Sequence, residues 1–202
     1  MRIHGIARRR LGTDGQGVTD LVAMAGCPLS CAWCINRGLL SSGAVRDVAP
    51  EEVLGSVMRE ACYFVATGGG VTLGGGEPLL QWREALRLAE LRPGWMRLTI
   101  ETSLQAPREA VEALAPLTDL WIVDIKSLDP AIYRDYAHGD ASVMLGNLRA
   151  LADAPGRVLA RVPAIPGWKG EEAARREAEA LAGMGIGDVE VFGYVTGRAA
   201  GA

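Results

Sequence analysis

Residues 70–101 read GVTLGGGEPLLQWREALRLAELRPGWMRLTIE, and their pattern decides the fold. Gly70 to Leu73 is a short run of strand character, Gly74-Gly75-Gly76-Glu77 turns the chain, and Gln81 to Leu91 carries Leu and Ala at helical spacing. Arg97 to Glu101 is again of strand type. Strand, glycine turn, helix and strand make one crossover unit, which lays its two strands parallel. The alternation continues outward in both directions. Strands are predicted near Val18 to Met24, Leu120 to Ile125, Arg157 to Val162 and Asp188 to Phe192. Helices are predicted near Pro50 to Ala66, Pro107 to Leu114, Pro130 to Tyr136, Ala141 to Ala154 and Glu171 to Gly183. Pro50, Pro107 and Pro130 are each expected at a first helical position, where a missing N–H costs nothing. Residues ahead of Val18 are expected to be rich in turns. Six strands with five helical crossovers specify an α/β fold, curled by right-handed connections into a doubly wound sheet or a complete or partial barrel. Either architecture puts the ligand at the carboxyl ends of the strands.

The residues with chemistry to offer gather at those ends. Gly74 to Glu77 follow the second strand, Glu101-Thr102-Ser103 end the third, Asp124-Ile125-Lys126 the fourth and Arg161-Val162-Pro163 the fifth. Asp124 and Lys126 flank one strand residue, so their side chains leave on the same face. Glu77 is expected to complement a helix start rather than to bind a ligand.

The 202 residues carry 21 Lys plus Arg against 24 Asp plus Glu, a formal charge of −3, and 49% of them are hydrophobic. That is enough apolar material for a sizeable core, and a single domain over 1–202 is expected, with a cysteine loop at 26–38 and a short tail at 193–202. A near-neutral charge without a basic run argues against a generic grip on nucleic acid. With no apolar stretch of about 18 residues and no apolar region behind the arginines of MRIHGIARRRLG, no membrane span and a cytoplasmic location are expected.

Cys27, Cys31 and Cys34 stand as C-x3-C-x2-C in GCPLSCAWCINRG (26–38). Three soft thiolates in one loop can reach a common centre, which suits zinc or an iron-sulfur cluster. A structural zinc is normally closed by four ligands. No His lies nearby, since His4 is remote and Ile35 follows Cys34. A cubane held by three cysteines keeps one iron open to a small molecule. Spacing alone leaves both readings standing. Cys62, alone in EEVLGSVMREACYFVA, is expected to be a small buried apolar residue. Trp82, Trp95, Trp121 and Trp168 are expected in core or helix–sheet packing.

With Trp33 just before its third Cys, the C-x3-C-x2-C loop resembles the signature of the radical S-adenosylmethionine (radical SAM) enzymes. TDGQGV (13–18), GCPLSCAWCIN (26–36), TGGGVTLGGGEPLLQ (67–81), VDIK (123–126) and RVPAIPGW (161–168) resemble more specifically the glycyl-radical enzyme activating enzymes, the family of pyruvate formate-lyase activase. The blocks occur in the family's order and span nearly the whole chain.

The resemblance implies a partial (β/α)6 barrel and a 4Fe-4S cluster on Cys27, Cys31 and Cys34, whose open iron takes the amino and carboxylate groups of S-adenosylmethionine. It puts Trp33 against the adenine, the backbone of Gly74, Gly75 and Gly76 at the ammonium, and Lys126 and Arg161 at the carboxylate. Pro163 and Ile165 become apolar wall. Glu101, Thr102 and Asp124 surround a monovalent cation, and Asp14 faces the incoming loop of a partner protein. The implied reaction takes one electron, from flavodoxin or ferredoxin, and ends with hydrogen removed from a glycine of a glycyl-radical enzyme. No residue is needed as general acid or base.

The chain departs from the best-known member in carrying Glu101 for Asp, Ile35 for the His after the third Cys, and Val195 for a second His. It ends at GYVTGRAAGA (193–202), a shortened C-terminus, and it lacks a further Cys cluster. Two other functions share parts of this pattern. One is a radical SAM enzyme acting on a peptide or small metabolite, similar to the compact 7-carboxy-7-deazaguanine synthases. The other is a non-catalytic metal-binding barrel, against which the intact Lys126, Arg161 and glycine triplet speak.

Overall fold

The computed structural model describes residues 1–154 and 156–194. Val195 and the remainder of the tail fall outside the described residues. In chain order the elements are β1 (Arg2–Leu11), β2 (Val18–Met24), α1 (Arg37–Ser42), β3 (Arg46–Asp47), α2 (Pro50–Val57), α3 (Ala61–Thr67), β4 (Gly70–Gly75), α4 (Trp82–Leu91), β5 (Arg97–Thr102), α5 (Arg108–Leu114), β6 (Leu120–Asp124), α6 (Pro130–Ala137), α7 (Ala141–Ala152), β7 (Arg157–Ala164), α8 (Glu171–Gly183) and β8 (Asp188–Gly193). They form one sheet in the order β3-β1-β2-β4-β5-β6-β7-β8. From β2 to β8 every neighbour is parallel, whereas β1 pairs antiparallel with β2 and β3. The sheet is not closed, and its six parallel strands are the expected partial (β/α)6 barrel.

Alternation along the strands separates two faces. In β4, Val71 and Leu73 turn toward the helices, while Thr72 and Gly74 turn to the other, inner face; all are buried. Leu98 and Ile100 of β5 and Trp121 and Val123 of β6 join the same fully buried core. The helices form one layer, with α2 on α4, α4 on α5 and α5 on α7. The inner face is polar and is filled from within by residues 12–17. The Thr72 hydroxyl donates to the Asp14 carbonyl, and a Cβ at Gly15 would stand 2.9 Å from Thr99 Oγ1. Arg161 of β7 also donates to the Thr13 carbonyl. β2 and β7 are four strand spacings apart, about 19 Å in a flat sheet, so a side chain of β7 meets the loop leading into β2 because the sheet curls.

Several expectations need correcting. The segment ahead of Val18 is not turn-rich but a ten-residue strand, β1. Its consecutive arginines hide the strand period, because a register shift lies between Ala7 and Arg10, with Arg9 at φ +51°. This bulge sends Arg8 to the buried Asp20 at 2.9 Å and Arg10 to Asp14 on the inner face. The helix expected over Pro50 to Ala66 is divided by a 3-10 turn at Met58–Glu60. Of α3 only Phe64 is buried, so Cys62 is exposed rather than interior. Pro50 and Pro130 do open their helices, but Pro107 sits one residue ahead of α5, as its N-cap. Trp121 is fully buried as expected; Trp95 and Trp168 are 46% and 37% exposed, so neither is a core residue.

Candidate active site

The cysteine loop leaves the carboxyl end of β2 and is tied down on two sides. On one side it meets the glycine turn after β4, where Gly76 N–H donates to Met24 O at 3.0 Å and Glu77 N–H to Gly26 O at 2.8 Å. The Asn36 amide donates to Gly75 O at 2.8 Å. The turn needs glycine twice over. Gly75 has φ +88°, and a Cβ on Gly76 would overlap the Gly26 carbonyl. On the other side α6 ends in a left-handed His138, leaving helical carbonyls free. The Ser30 and Ala32 N–H groups, flanking Cys31, donate to Ala137 O and Tyr136 O at 3.0 and 2.9 Å. Arg37 braces the loop through Cys31 O and Ala32 O at 2.6 and 2.9 Å.

Cys27, Cys31 and Cys34 are all half-buried. Burial pushes the Cys27 thiol up to about 11 and raises that of Cys31, with nearby Lys126 opposing the latter shift. Buried thiols of this kind become thiolates when metal replaces their protons. Among the described residues no three metal-binding side chains close on a single ion. The loop at 26–38 offers three soft sulfurs and no His, Asp or Glu, a donor set that suits an iron-sulfur cluster better than a structural zinc closed by four ligands.

Facing the loop are the ends of β5, β6 and β7. Lys126 reaches Asp124 at 3.0 Å. Burial works against the Lys126 charge, but the Asp124 carboxylate helps to outweigh it and hold the ammonium well above its ordinary value. Glu101 meets Arg161 at 3.5 Å, and Arg161 also binds Glu190 at 3.2 Å. Burial, then the neighbouring Asp124 charge, push Glu101 up to about 7 against the pull of Arg161. Glu101 and Asp124 are thus brought together, whereas the Thr102 hydroxyl points elsewhere, to Glu77 at 2.6 Å. Pro163 and Ile165 are buried. Trp33 stands 44% exposed at the rim. Asp14 is buried on the inner face, paired with Arg10.

Three features escaped sequence reasoning. Glu77 is a buried hub that accepts from Thr102 Oγ1, Ser103 N, Ser103 Oγ and Leu79 N, fastening the glycine turn to the end of β5. Gln81 bonds Arg2 through both backbone groups and Ala25 O, clamping the same turn to β1 and β2. Lys169 and Glu177 form a buried ion pair at 2.6 Å that grips the chain around Lys126. Lys169 Nζ donates to Lys126 O at 3.0 Å, and Glu177 accepts from Ser127 Oγ and Leu128 N.

The sequence model of the radical SAM superfamily matches residues 21–180. The chain is 33% identical over 198 residues to the pyruvate formate-lyase 2-activating enzyme of Escherichia coli (strain K12), covering 83% of this chain and 68% of that one. It is 27% identical over 215 residues to the (2S)-3-sulfopropanediol dehydratase activating enzyme of Klebsiella oxytoca, covering 76% and 68%. A domain of pyruvate-formate lyase-activating enzyme from Bacteroides vulgatus ATCC 8482 superposes with a TM-score of 0.56 at 25% identity, over 66% of this chain and 86% of that one. With its cysteine loop, glycine turn and Lys126 at one end of a partial barrel, the chain belongs to the radical SAM superfamily, among the glycyl-radical enzyme activating enzymes.

Proposed function

We propose that Cys27, Cys31 and Cys34 hold a 4Fe-4S cluster beside a bound S-adenosylmethionine, and that the chain activates a partner glycyl-radical enzyme. Bound together, the two supply one chemistry: reductive cleavage of S-adenosylmethionine to methionine and a 5'-deoxyadenosyl radical that takes hydrogen from a glycine of the partner. The observation that carries this reading is the tying of the cysteine loop to the glycine turn on one side and to α6 on the other, with Lys126 facing it.

The chain's own residues orient and enclose. Lys126 meets the methionine carboxylate, exchanging part of its bond to Asp124 for the ligand. Arg161 is the second carboxylate partner, planar and two-pronged. The open backbone of Gly74, Gly75 and Gly76 takes the ammonium, Trp33 lies along the adenine, and Pro163 closes the side. Glu101 and Asp124, with Thr102 beside them, would hold a monovalent cation, whose charge would offset the burial and the Asp124 repulsion that raise Glu101. Flavodoxin or ferredoxin delivers the electron. In the hydrogen-transfer step the protein holds the reacting atoms in register and excludes other hydrogen donors.

Anaerobic reconstitution with iron and sulfide, followed by dithionite reduction, tests this. The reduced protein is expected to give a 4Fe-4S spectrum that changes on adding S-adenosylmethionine, to form 5'-deoxyadenosine, and to lose both in Cys31→Ala. Stoichiometric zinc with no cluster and no deoxyadenosine overturns it.

A further inference from the structure

Tyr133 is fully buried in α6, and its hydroxyl has no hydrogen-bond partner, sulfur atoms included, among the described residues. Buried polar groups rarely go unsatisfied, so such an atom points to an acceptor that the polypeptide itself does not contain. Tyr133 lies one helical turn before Tyr136 and Ala137, whose carbonyls bind the N–H groups on either side of Cys31. The cysteine loop is therefore docked on the C-terminal end of α6, one turn from Tyr133. A Cβ on Gly139 would stand 2.8 Å from Tyr133 Cε1 and would also meet Leu29 Cδ2. The ring therefore comes together with the side chain of Leu29, the middle of the three residues between Cys27 and Cys31. Burial holds the phenol above its ordinary pKa; Lys126 opposes that shift, and Cys31, Glu77 and Cys27 add to it. The hydroxyl is a buried donor without an acceptor, on a ring that lies beside Leu29 of the cysteine loop.

We infer that the Tyr133 hydroxyl donates a hydrogen bond to a sulfur of the cluster and thereby sets its reduction potential. The inference rests on the cluster reading above. A donor to a cluster sulfur stabilises the more negative, reduced state and raises the potential. Tyr136, one turn on, does not share this role, because its hydroxyl is paired with that of Tyr194 at 2.8 Å.

The test compares reconstituted wild type with Tyr133→Phe by redox titration followed by electron paramagnetic resonance, with and without S-adenosylmethionine. Alongside it, the reduced wild-type cluster is examined for exchangeable-deuteron coupling after transfer to heavy water. The variant removes only an unpartnered hydroxyl, so its cofactor-free form is expected to melt no lower than wild type and its iron content to match. Expected are a deuteron coupling in wild type that Tyr133→Phe loses and a more negative potential in both conditions. The reduced-to-oxidised ratio at fixed potential should fall up to tenfold, about 59 mV for a one-electron couple. Unchanged potential and coupling in a variant that assembles its cluster overturn the inference and leave the cluster reading intact. A change confined to samples with S-adenosylmethionine overturns it by assigning the hydroxyl to that ligand. A wild-type chain that assembles no cluster overturns both.

Discussion

Glu77 shows how burial changes the meaning of a residue. In sequence it is a carboxylate at the start of a turn, and it does accept from Leu79 N at 3.2 Å there. Its larger role follows from lying 1% exposed against the end of β5, where two hydroxyls and an amide donate to it. Nothing in the local spacing of GGGEP announces Ser103, 26 positions away. Removing the carboxylate strands those donors in the interior, so Glu77→Ala is expected to lower unfolding free energy by about 3 kcal/mol in a denaturant titration; a midpoint equal to wild type would show the donors satisfied otherwise. Glu101 gives a pH dependence. Its pKa in the folded, cofactor-free protein is about 7, against 4.5 ordinarily. A raised acid binds its proton more tightly folded than unfolded, so stability is greatest below about 4.5, falls as pH rises toward 7 and levels off above it. Glu101→Gln removes that penalty, and its advantage over wild type should grow through this window to about 3 kcal/mol at pH 8. Thermal melts of both proteins at pH 5 and pH 8 decide it; a constant difference would mean that Glu101 titrates normally.

At the scale of elements, the parallel strands and most helices were legible because each buries a regular apolar face. β1 was not, since its bulge breaks the alternation, and β3 has only two residues to read. For Cys62 the signal was present. It lies nine residues after the buried Val53, which is half a turn away at 100° per residue, on the outward face. The clamp between the β7–α8 turn and the segment after β6 was illegible for a different reason, being tertiary: Lys169 and Glu177 have the ordinary look of a solvated i, i+8 pair. Burial lowers the Lys169 pKa and Glu177 resists the change. Lys169→Met leaves the Glu177 carboxylate uncompensated and frees the Lys126 carbonyl. The expected results are a loss of about 3 kcal/mol in stability and an increase of about tenfold in the KM for S-adenosylmethionine, with a smaller change in kcat. Adding Glu177→Gln should recover much of the stability without recovering KM. If KM recovers in step with stability, the clamp supports the fold and does not position Lys126.

For the molecule as a whole, the candidate site was readable because its motifs fall at the ends of successive strands. The contents of the barrel were not, because they depend on how far the sheet curls. Residues 12–17 read as a turn, and the resemblance puts Asp14 toward a partner; in the folded chain the loop enters the inner face. Its carbonyls take bonds from Thr72 and Arg161, and the Asp14 side chain pairs with Arg10. This loop links β1 and β2 to β7 across an open sheet whose first and last strands do not pair. The backbone bonds seat the loop, and the Asp14 carboxylate adds a half-exposed ion pair, since the Arg10 side chain is 44% exposed. Asp14→Asn keeps an acceptor for Arg10 and removes the charge, so it is expected to cost about 1 kcal/mol of stability and to leave S-adenosylmethionine cleavage in the absence of partner unchanged. Asp14→Ala loses the acceptor too and should cost more. Wild-type melting of both variants together with impaired glycyl-radical formation on the partner would instead assign Asp14 to the docking face, and would require the loop to leave the barrel interior when the partner binds.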